Sequence, residues 1–395
     1  VSVNAAAGTL PYTVTLSNPA KDPVTVAYGT ASGTATSGSD FAASTGTLTF
    51  APGVTSQTFT VDITNDTLFE GAENYTVNLS APTGGATITT GSVTTTIRDD
   101  GTGSGGTNDD TPALSIANVT VAEGTPAVFT VSLSNLSTSP VVFTPSLTGI
   151  SAIMGTDTAA STALEFFDGA SWVPVSGNVT IPPGSASIQL RLATTDDATS
   201  ASNETFSLTA TPVSGATPVA AIGIATITDN DGTPQFSIND VSVNEGAGTI
   251  TFTVSLSNPA ATGVTVDYTS TPGTASVPGD VTAGTSALTG TLTFAPGVLT
   301  QTVTLNVTND NVYEVSEAFT VNLSNASVGS AIADAIGVGT ITDDGTGPGG
   351  SDNDAPTLAI SGPVSVNEAA GTLTYTVTLS NPAKDPVTVA YGTAS

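Results

Sequence analysis

The chain repeats itself. Val1 to Ser32 reads VSVNAAAGTLPYTVTLSNPAKDPVTVAYGTAS, and Val364 to Ser395 reads VSVNEAAGTLTYTVTLSNPAKDPVTVAYGTAS. The two stretches differ only at Ala5 against Glu368 and Pro11 against Thr374, across an offset of 363 residues. Near-identity at that distance restricts the fold to a tandem array. The 395 residues read as one full super-repeat and the start of the next, as if cut from a longer array. Inside it, Val3, Val121, Val243 and Val366 open equivalent segments at spacings of 118, 122 and 123 residues. Further on in each unit, GTLTFAPGVTSQTFTVDITND from Gly46 matches GTLTFAPGVLTQTVTLNVTND from Gly290, with a diverged copy, GNVTIPPGSASIQLRLATTDD, from Gly177. The units close on TIRDD at Asp100, TITDND at Asp231 and TITDD at Asp344.

These anchors set the expected boundaries. One sandwich spans 1–100, a Gly/Asp linker 101–112, a second sandwich 113–231, a third 232–344, a second linker 345–356, and the start of a fourth 357–395. The linkers, GTGSGGTNDDTP and GTGPGGSDNDAP, predict flexible segments unless an ion orders their acids.

Within a unit, short runs rich in Val, Thr, Ile and Phe alternate with period two and are parted by turn residues. In the first unit the pattern predicts seven strands: Val1–Asn4, Thr9–Ser17, Val24–Thr30, Thr47–Phe50, Gln57–Thr64, Glu73–Ser80 and Ser92–Arg98. Seven short strands in a unit of this length predict an all-β fold of immunoglobulin-like sandwiches joined end to end. Disorder, the alternative for a Gly-, Ser- and Thr-rich chain, is set aside because 38% of residues are hydrophobic and alternate with polar ones.

Strand parity sorts the loops. If successive strands run up and down, the first, third, fifth and last loops share one pole. Those loops hold Glu123, Glu245 and Glu368; Asp40; Asp66, Glu70 and Glu73; and Asp99 and Asp100. Loops at the other pole, such as NPAKDP and APGVTS, hold almost no acid. An odd strand count also sends the chain out at the pole opposite its start, so that each acidic pole faces a linker carrying Asp109, Asp110, Asp352 or Asp354. A pair of like charges about 4 Å apart costs roughly 4 kcal/mol at an effective dielectric near 20. Five or six carboxylates gathered at one pole therefore call for a cation. The spacing recurs: Asp66 and Glu73, Asp197 and Glu204, and Asp310 and Glu317 are each seven apart. With no His and no Cys, the donors are oxygen alone, which points to Ca2+ rather than a transition metal. The competing account is that these acids only make turns and keep a surface solvated.

Composition excludes other roles. There are 33 acidic residues against 4 basic ones, for a net charge of −29. Lys21, Arg98, Arg191 and Lys384 are too few and scattered to bind nucleic acid or an anionic membrane. No apolar run reaches membrane-spanning length, and neither imidazole nor thiolate catalysis is available. Paired carboxylates without His, Arg or an aromatic cleft make a poor glycosidase. Lys21 and Lys384 fall in a predicted turn, which argues against an internal Lys–Asn crosslink. The second unit carries an inserted hairpin, 158–176, turning at Asp168–Gly169 and holding Phe166, Phe167 and Trp172. Its aromatics could contact a glycan or neighbouring filament, but in so short a hairpin they are expected to bury one another.

The units resemble Calx-beta domains. The matching text is VNE at Glu245 and Glu368, GTATSGSDF through Asp40, GTASVPGD through Asp280, NDTLFEGAENY through Glu70 and Glu73, NDNVYEVSEAF through Glu314 and Glu317, and the closing TDD or TDND. The resemblance implies an immunoglobulin-like fold. It also implies kinship with calcium sensors, cell-adhesion modules and long bacterial surface arrays. In the third unit it implies Glu245, Asp280, Asp310, Glu314, Glu317, Asp343 and Asp344 as ligands. The second unit keeps Glu123, Asp157, Asp196, Asp197, Glu204, Asp229 and Asp231 but has Ala201 at one loop acid, and the first has Ala5 for the opening Glu. The expected role is a calcium-stabilised spacer in a bacterial extracellular adhesin or surface fibre, with neighbouring repeats as partners. Identical chains in a fibre or lattice are further expected partners, with any glycan or cell-surface ligand held elsewhere in the full protein. The alternatives are a self-assembling surface-layer or filament subunit and a calcium-sensing module. Many near-identical copies suit a spacer better than a sensor.

Overall fold

Threonine and valine alternate along the strands, and the fold places them accordingly. In Thr249–Leu256, the side chains of Ile250, Phe252, Val254 and Leu256 are buried while the Thr and Ser between them face outward. A strand with one apolar face must cover it with a second sheet. The computed structural model describes residues 1–348 and 350–395; Gly349, in the second predicted linker, lies outside the described residues.

The first repeat forms β1 (Ser2–Asn4), β2 (Thr9–Thr15), β3 (Val24–Ser32), β4 (Thr45–Phe50), β5 (Ser56–Asp62), β6 (Ala72–Ser80) and β7 (Ser92–Arg98). All seven predicted strands are present, with ends shifted by a residue or two. One sheet runs β1-β7-β6-β3-β4, and β2 pairs with β5. β1 lies parallel to β7, in register Ser2↔Thr96 to Asn4↔Arg98, as the parity argument requires of the first and last of seven alternating strands. Phe41, Phe50, Tyr75 and Ile97 fill the core between the layers.

The second and third repeats follow the same plan with two five-stranded sheets each. Each adds a strand that the periodicity did not reveal, Leu114–Ile116 and Gln235–Ile238, ahead of the parallel one. Among the described residues the chain divides into two compact units. One comprises residues 1–196 with 203–228, and the other residues 197–202 with 229–395. After the second linker, Leu358–Ser361 pairs with Thr376–Leu379 as an exposed hairpin.

The insertion is a hairpin as expected. Glu165–Phe167 pairs with Trp172–Pro174, and Asp168 accepts the Ala170 and Ser171 amides across the turn. Phe166 packs on the core, Phe167 lies 5.4 Å from the Trp172 ring, and the Arg191 guanidinium sits 4.4 Å above that ring while bonding Glu165 at 2.7 Å. Phe167 and Trp172 therefore partly cover one another, and Phe166 is covered by the core. Among the described residues no helix is long and apolar enough to cross a membrane.

Candidate metal centre

Each acidic loop is folded by its own carboxylates before any ion is considered. Asp40 Oδ2 accepts the Thr36 amide, Asp157 Oδ2 accepts the Ile153 amide at 2.6 Å, and Asp280 Oδ2 accepts the Ser276 amide at 2.7 Å. The next loop repeats the device. Asp66, Asp197 and Asp310 accept the amides of Leu68, Thr199 and Val312 at 2.8, 2.6 and 2.7 Å. A third carboxylate then ties that loop to the end of the last strand. Asp99 accepts the Glu70 amide at 3.1 Å, Asp343 the Glu314 amide at 2.8 Å, and Asp229 the Ala201 amide at 2.9 Å. The Ala201 loop thus keeps the backbone of its relatives without their acid.

In the first repeat this scaffold lines a small pocket with Asp40, Asp66, Glu70, Glu73 and Asp99, and with Ala5 where an opening Glu would stand. Oxygens of Asp40, Glu70 and Glu73 all lie within 4.8 Å of one another. Burial, the hydrogen bond with Asp40 and the charge of Glu70 push the Glu73 carboxyl up to about 8. Burial and the charges of Asp40 and Asp66 push Glu70 up to about 7. Burial also raises Asp99.

The third repeat has two such clusters. Asp280, Glu314 and Glu317 repeat the first one. Glu245, restored at the position of Ala5, joins Asp352 and Asp354 of the following linker within 4.8 Å. Glu245 is 3% exposed, and its Oε1 and Asp354 Oδ2 are buried without a hydrogen-bond partner. Burial, then Asp343, Asp310 and the linker acids, push its carboxyl up to about 8. A buried carboxylate oxygen with no donor costs free energy unless a cation reaches it. Hard oxygens in flexible loops suit Ca2+, so the residues present fit such an ion.

Not every expected residue joins. Asp100 and Asp344 are exposed, and each turns to its own linker, accepting the amide and hydroxyl of Thr102 or Thr346, which holds its carboxyl below the usual range. Glu368 is exposed in the first turn of a short 3-10 helix and, among the described residues, joins none of the acidic groups. The second-repeat acids Glu123 and Asp231 are not among these departures, since each offers an oxygen to an acidic group. Glu123 donates its amide to the Thr228 carbonyl, Asp229 Oδ1 accepts the Asp231 amide at 2.9 Å, and Glu204 opens the strand Glu204–Ser214. Asp196 lies against Gly124, where an added Cβ would come within 2.9 Å of its own Cβ.

Sequence reasoning missed Asn4 and Asn244. Both are fully buried and stitch the linkers down. Asn244 Oδ1 accepts the Gly246 and Asp352 amides at 3.0 and 3.2 Å, and its Nδ2 donates to the Thr346 and Asp352 carbonyls at 3.3 and 3.1 Å. Asn4 repeats this with Ala6, Asn108 and Thr102. The linkers expected to be flexible without an ion are hydrogen-bonded in place by asparagine. The recurring VSVN before the acidic position was the available signal.

The Calx-beta domain family model matches residues 1–101, 152–232 and 227–345. The chain belongs to the Calx-beta family. Among solved structures, the apo-form Calx CBD1 domain is 28% identical over 29% of this chain and 99% of that chain, with a TM-score of 0.27. A tetra-tandem repeat from the extending region of a large adhesion protein is 14% identical over 97% and 88% of the respective chains, with a TM-score of 0.29. No curated protein sequence matches the chain. Its Calx-beta repeats vary at the acidic pole: one carries Ala5 and another Ala201 where the third has Glu245 and Glu314.

The raised carboxyls fix a pH response for these Calx-beta repeats. Glu73, Glu70 and Glu245 hold protons in the folded state well above the ordinary 4.5. Their contribution to stability is complete below about 4.5 and is lost as pH rises through 7 to 8, because the folded state binds the extra protons. The metal-free chain should melt about 5 °C lower at pH 8.5 than at pH 5, as read by calorimetry. A flat or rising profile would rule out the buried, uncompensated carboxylates.

Proposed function

We propose that the chain is a structural, non-enzymatic spacer of an extracellular adhesin or surface fibre, bacterial in origin, whose repeats are stiffened by Ca2+. The domains are 1–100, 113–231, 232–344 and the segment from 357, with the two linkers between them. The ligands comprise Asp40, Asp66, Glu70, Glu73 and Asp99 in the first repeat and Glu245, Asp310 and Asp343 in the third, with Asp352 and Asp354 added from the linker; Asp280, Glu314 and Glu317 offer a further set of oxygens that Lys384 also reaches.

The observation that carries this reading is the buried, unpartnered Glu245 oxygen beside Asp352 and Asp354. An ion there would bind a sandwich and its outgoing linker together. It would remove linker freedom as well as charge repulsion. Because Ala5 replaces the corresponding Glu, the first repeat should lack the ion that Glu245 and the linker acids would share.

The test is thermal unfolding and small-angle scattering of the full chain with and without millimolar Ca2+. Binding to the folded state alone should raise the melting temperature by about 10 °C, and the particle should become longer and stiffer. If neither quantity moves, the acidic poles are only solvated loops and the calcium part of the reading is wrong.

A further inference from the structure

Three joints in the chain use the same backbone device, and in the middle one Ser200 donates its amide to the Pro259 carbonyl and accepts the Ala261 amide, each at 2.9 Å. Phe69 donates its amide to the Leu136 carbonyl at 2.9 Å, and its own carbonyl accepts the Thr138 amide at 3.0 Å. Tyr313 does the same with the Pro382 carbonyl and the Lys384 amide, each at 2.9 Å. Phe69 adjoins Glu70, and Tyr313 adjoins Glu314, so each of these two bridges lies next in sequence to a member of a carboxylate cluster. At the first joint the residue that closes the bridge is Thr138, whose hydroxyl only returns to the Phe69 carbonyl at 3.4 Å. At the middle joint it is Ala261, and at the last it is lysine. Lys384 Nζ lies 2.5 Å from Glu317 Oε1 and 2.9 Å from Glu314 Oε1. The Glu317 side chain is 7% exposed and that of Glu314 19%, while Lys384 reaches in from an exposed turn.

We propose that Lys384 is a tethered cation for the Asp280–Glu314–Glu317 cluster. It latches the segment after Pro356 to the third repeat and excludes a divalent ion from that cluster, leaving the Asp40–Glu70–Glu73 cluster to a free ion. An ammonium at hydrogen-bond distance from two of the three carboxylates fills the space in which Ca2+ would take its oxygens at about 2.3–2.6 Å. The two cations also repel, so one must leave for the other to enter. The lysine is held at high local concentration by the turn and its backbone bridge, and no ion has to be recruited.

Charge placement supports the assignment, because the chain has 4 basic residues in all and one of them stands here. Lys21 occupies the same NPAKDP turn 363 residues earlier, while the intervening repeats have Thr138 and Ala261 at this place. The lysine therefore recurs at the super-repeat spacing and not in every repeat. One joint in three is closed without calcium, and the others are left to respond to it.

The ion-pair geometry stands apart from the calcium reading, and the test separates them. The full chain and its Lys384→Met and Lys384→Arg variants are digested with Glu-C in phosphate with chelator, and cuts in the two linkers are counted by mass spectrometry. Cutting within Gly345–Pro356 should rise about fivefold in Lys384→Met and stay near the parent level in Lys384→Arg, with Gly101–Pro112 unchanged. Unchanged cutting of the second linker in Lys384→Met overturns the latch. Calcium calorimetry then reads competition: Lys384→Met should take up one more ion per chain than the parent. Equal uptake refutes the exclusion of the ion. If no chain takes up calcium, the spacer's calcium dependence fails, and the latch is still decided by the digestion.

Discussion

Replacing Asn244 by alanine is expected to destabilise the third repeat by about 2–4 kcal/mol and to free the linker that follows it. The side chain is fully buried and makes four hydrogen bonds, two from amides and two to carbonyls. Alanine leaves the Gly246 and Asp352 amides and the Thr346 and Asp352 carbonyls without that partner, in a place where water is excluded. The linker is packed closely on this side chain, since a Cβ added at Gly350 would lie 2.8 Å from Asn244 Oδ1. Urea unfolding gives the size of the loss, and hydrogen exchange at Gly246 and Asp352 shows where it falls. A loss below about 0.5 kcal/mol would mean that the linker is held by its backbone alone. Asn4→Ala should act likewise on the first linker, since the same bonds recur there.

Phe319→Ala should cost more, about 3–5 kcal/mol. Phe319 is 1% exposed and meets Phe252 edge-on, with centroids 5.8 Å apart and planes at 83°. Its ring covers Gly339 so closely that a Cβ added there would lie 2.4 Å from Phe319 Cε1. The cavity left by alanine is walled by paired strands on both sheets and cannot collapse easily. Segment-resolved hydrogen exchange should show protection lost across Glu317–Ser324 and Ile336–Thr342, with the first repeat unaffected. Uniform loss across all repeats would instead mean that they unfold as one cooperative body.

The sequence was most informative where one residue type repeats at a fixed interval. Alternating Thr and Val marked all seven strands of the first repeat, because a strand buries every second side chain. Counting those strands placed Asp40, Asp66, Glu70, Glu73 and Asp99 at one pole, and the structure brings these five to one pocket. What stayed hidden depends on single side chains and their direction. Leu114–Ile116 is too short to show a period. Asn244 looks like any turn-forming asparagine until its buried bonds are seen. Asp100 and Asp344 sit beside the right strand ends, yet a neighbouring threonine claims each carboxylate. Lys384 reads as one charge in an open turn, and its two partners lie 70 and 67 residues earlier.

The parallel pair at the edge of each repeat has a mechanical consequence. In the third repeat Val241–Asn244 lies beside Ile336–Thr342 in parallel register, from Val241↔Gly339 to Asn244↔Thr342. The chain reaches the first strand at its start, after Gln235–Ile238, and leaves the second at its end. Tension applied at those two points drags the strands past one another along their length. The rungs of the ladder are then loaded together, in shear, and must fail together. In a hairpin pulled at its open end they would instead peel apart one at a time. Survival under load is set by the unfolding rate rather than by equilibrium stability. Pulling a repeat along the chain is therefore expected to meet more resistance than its equilibrium stability alone would set.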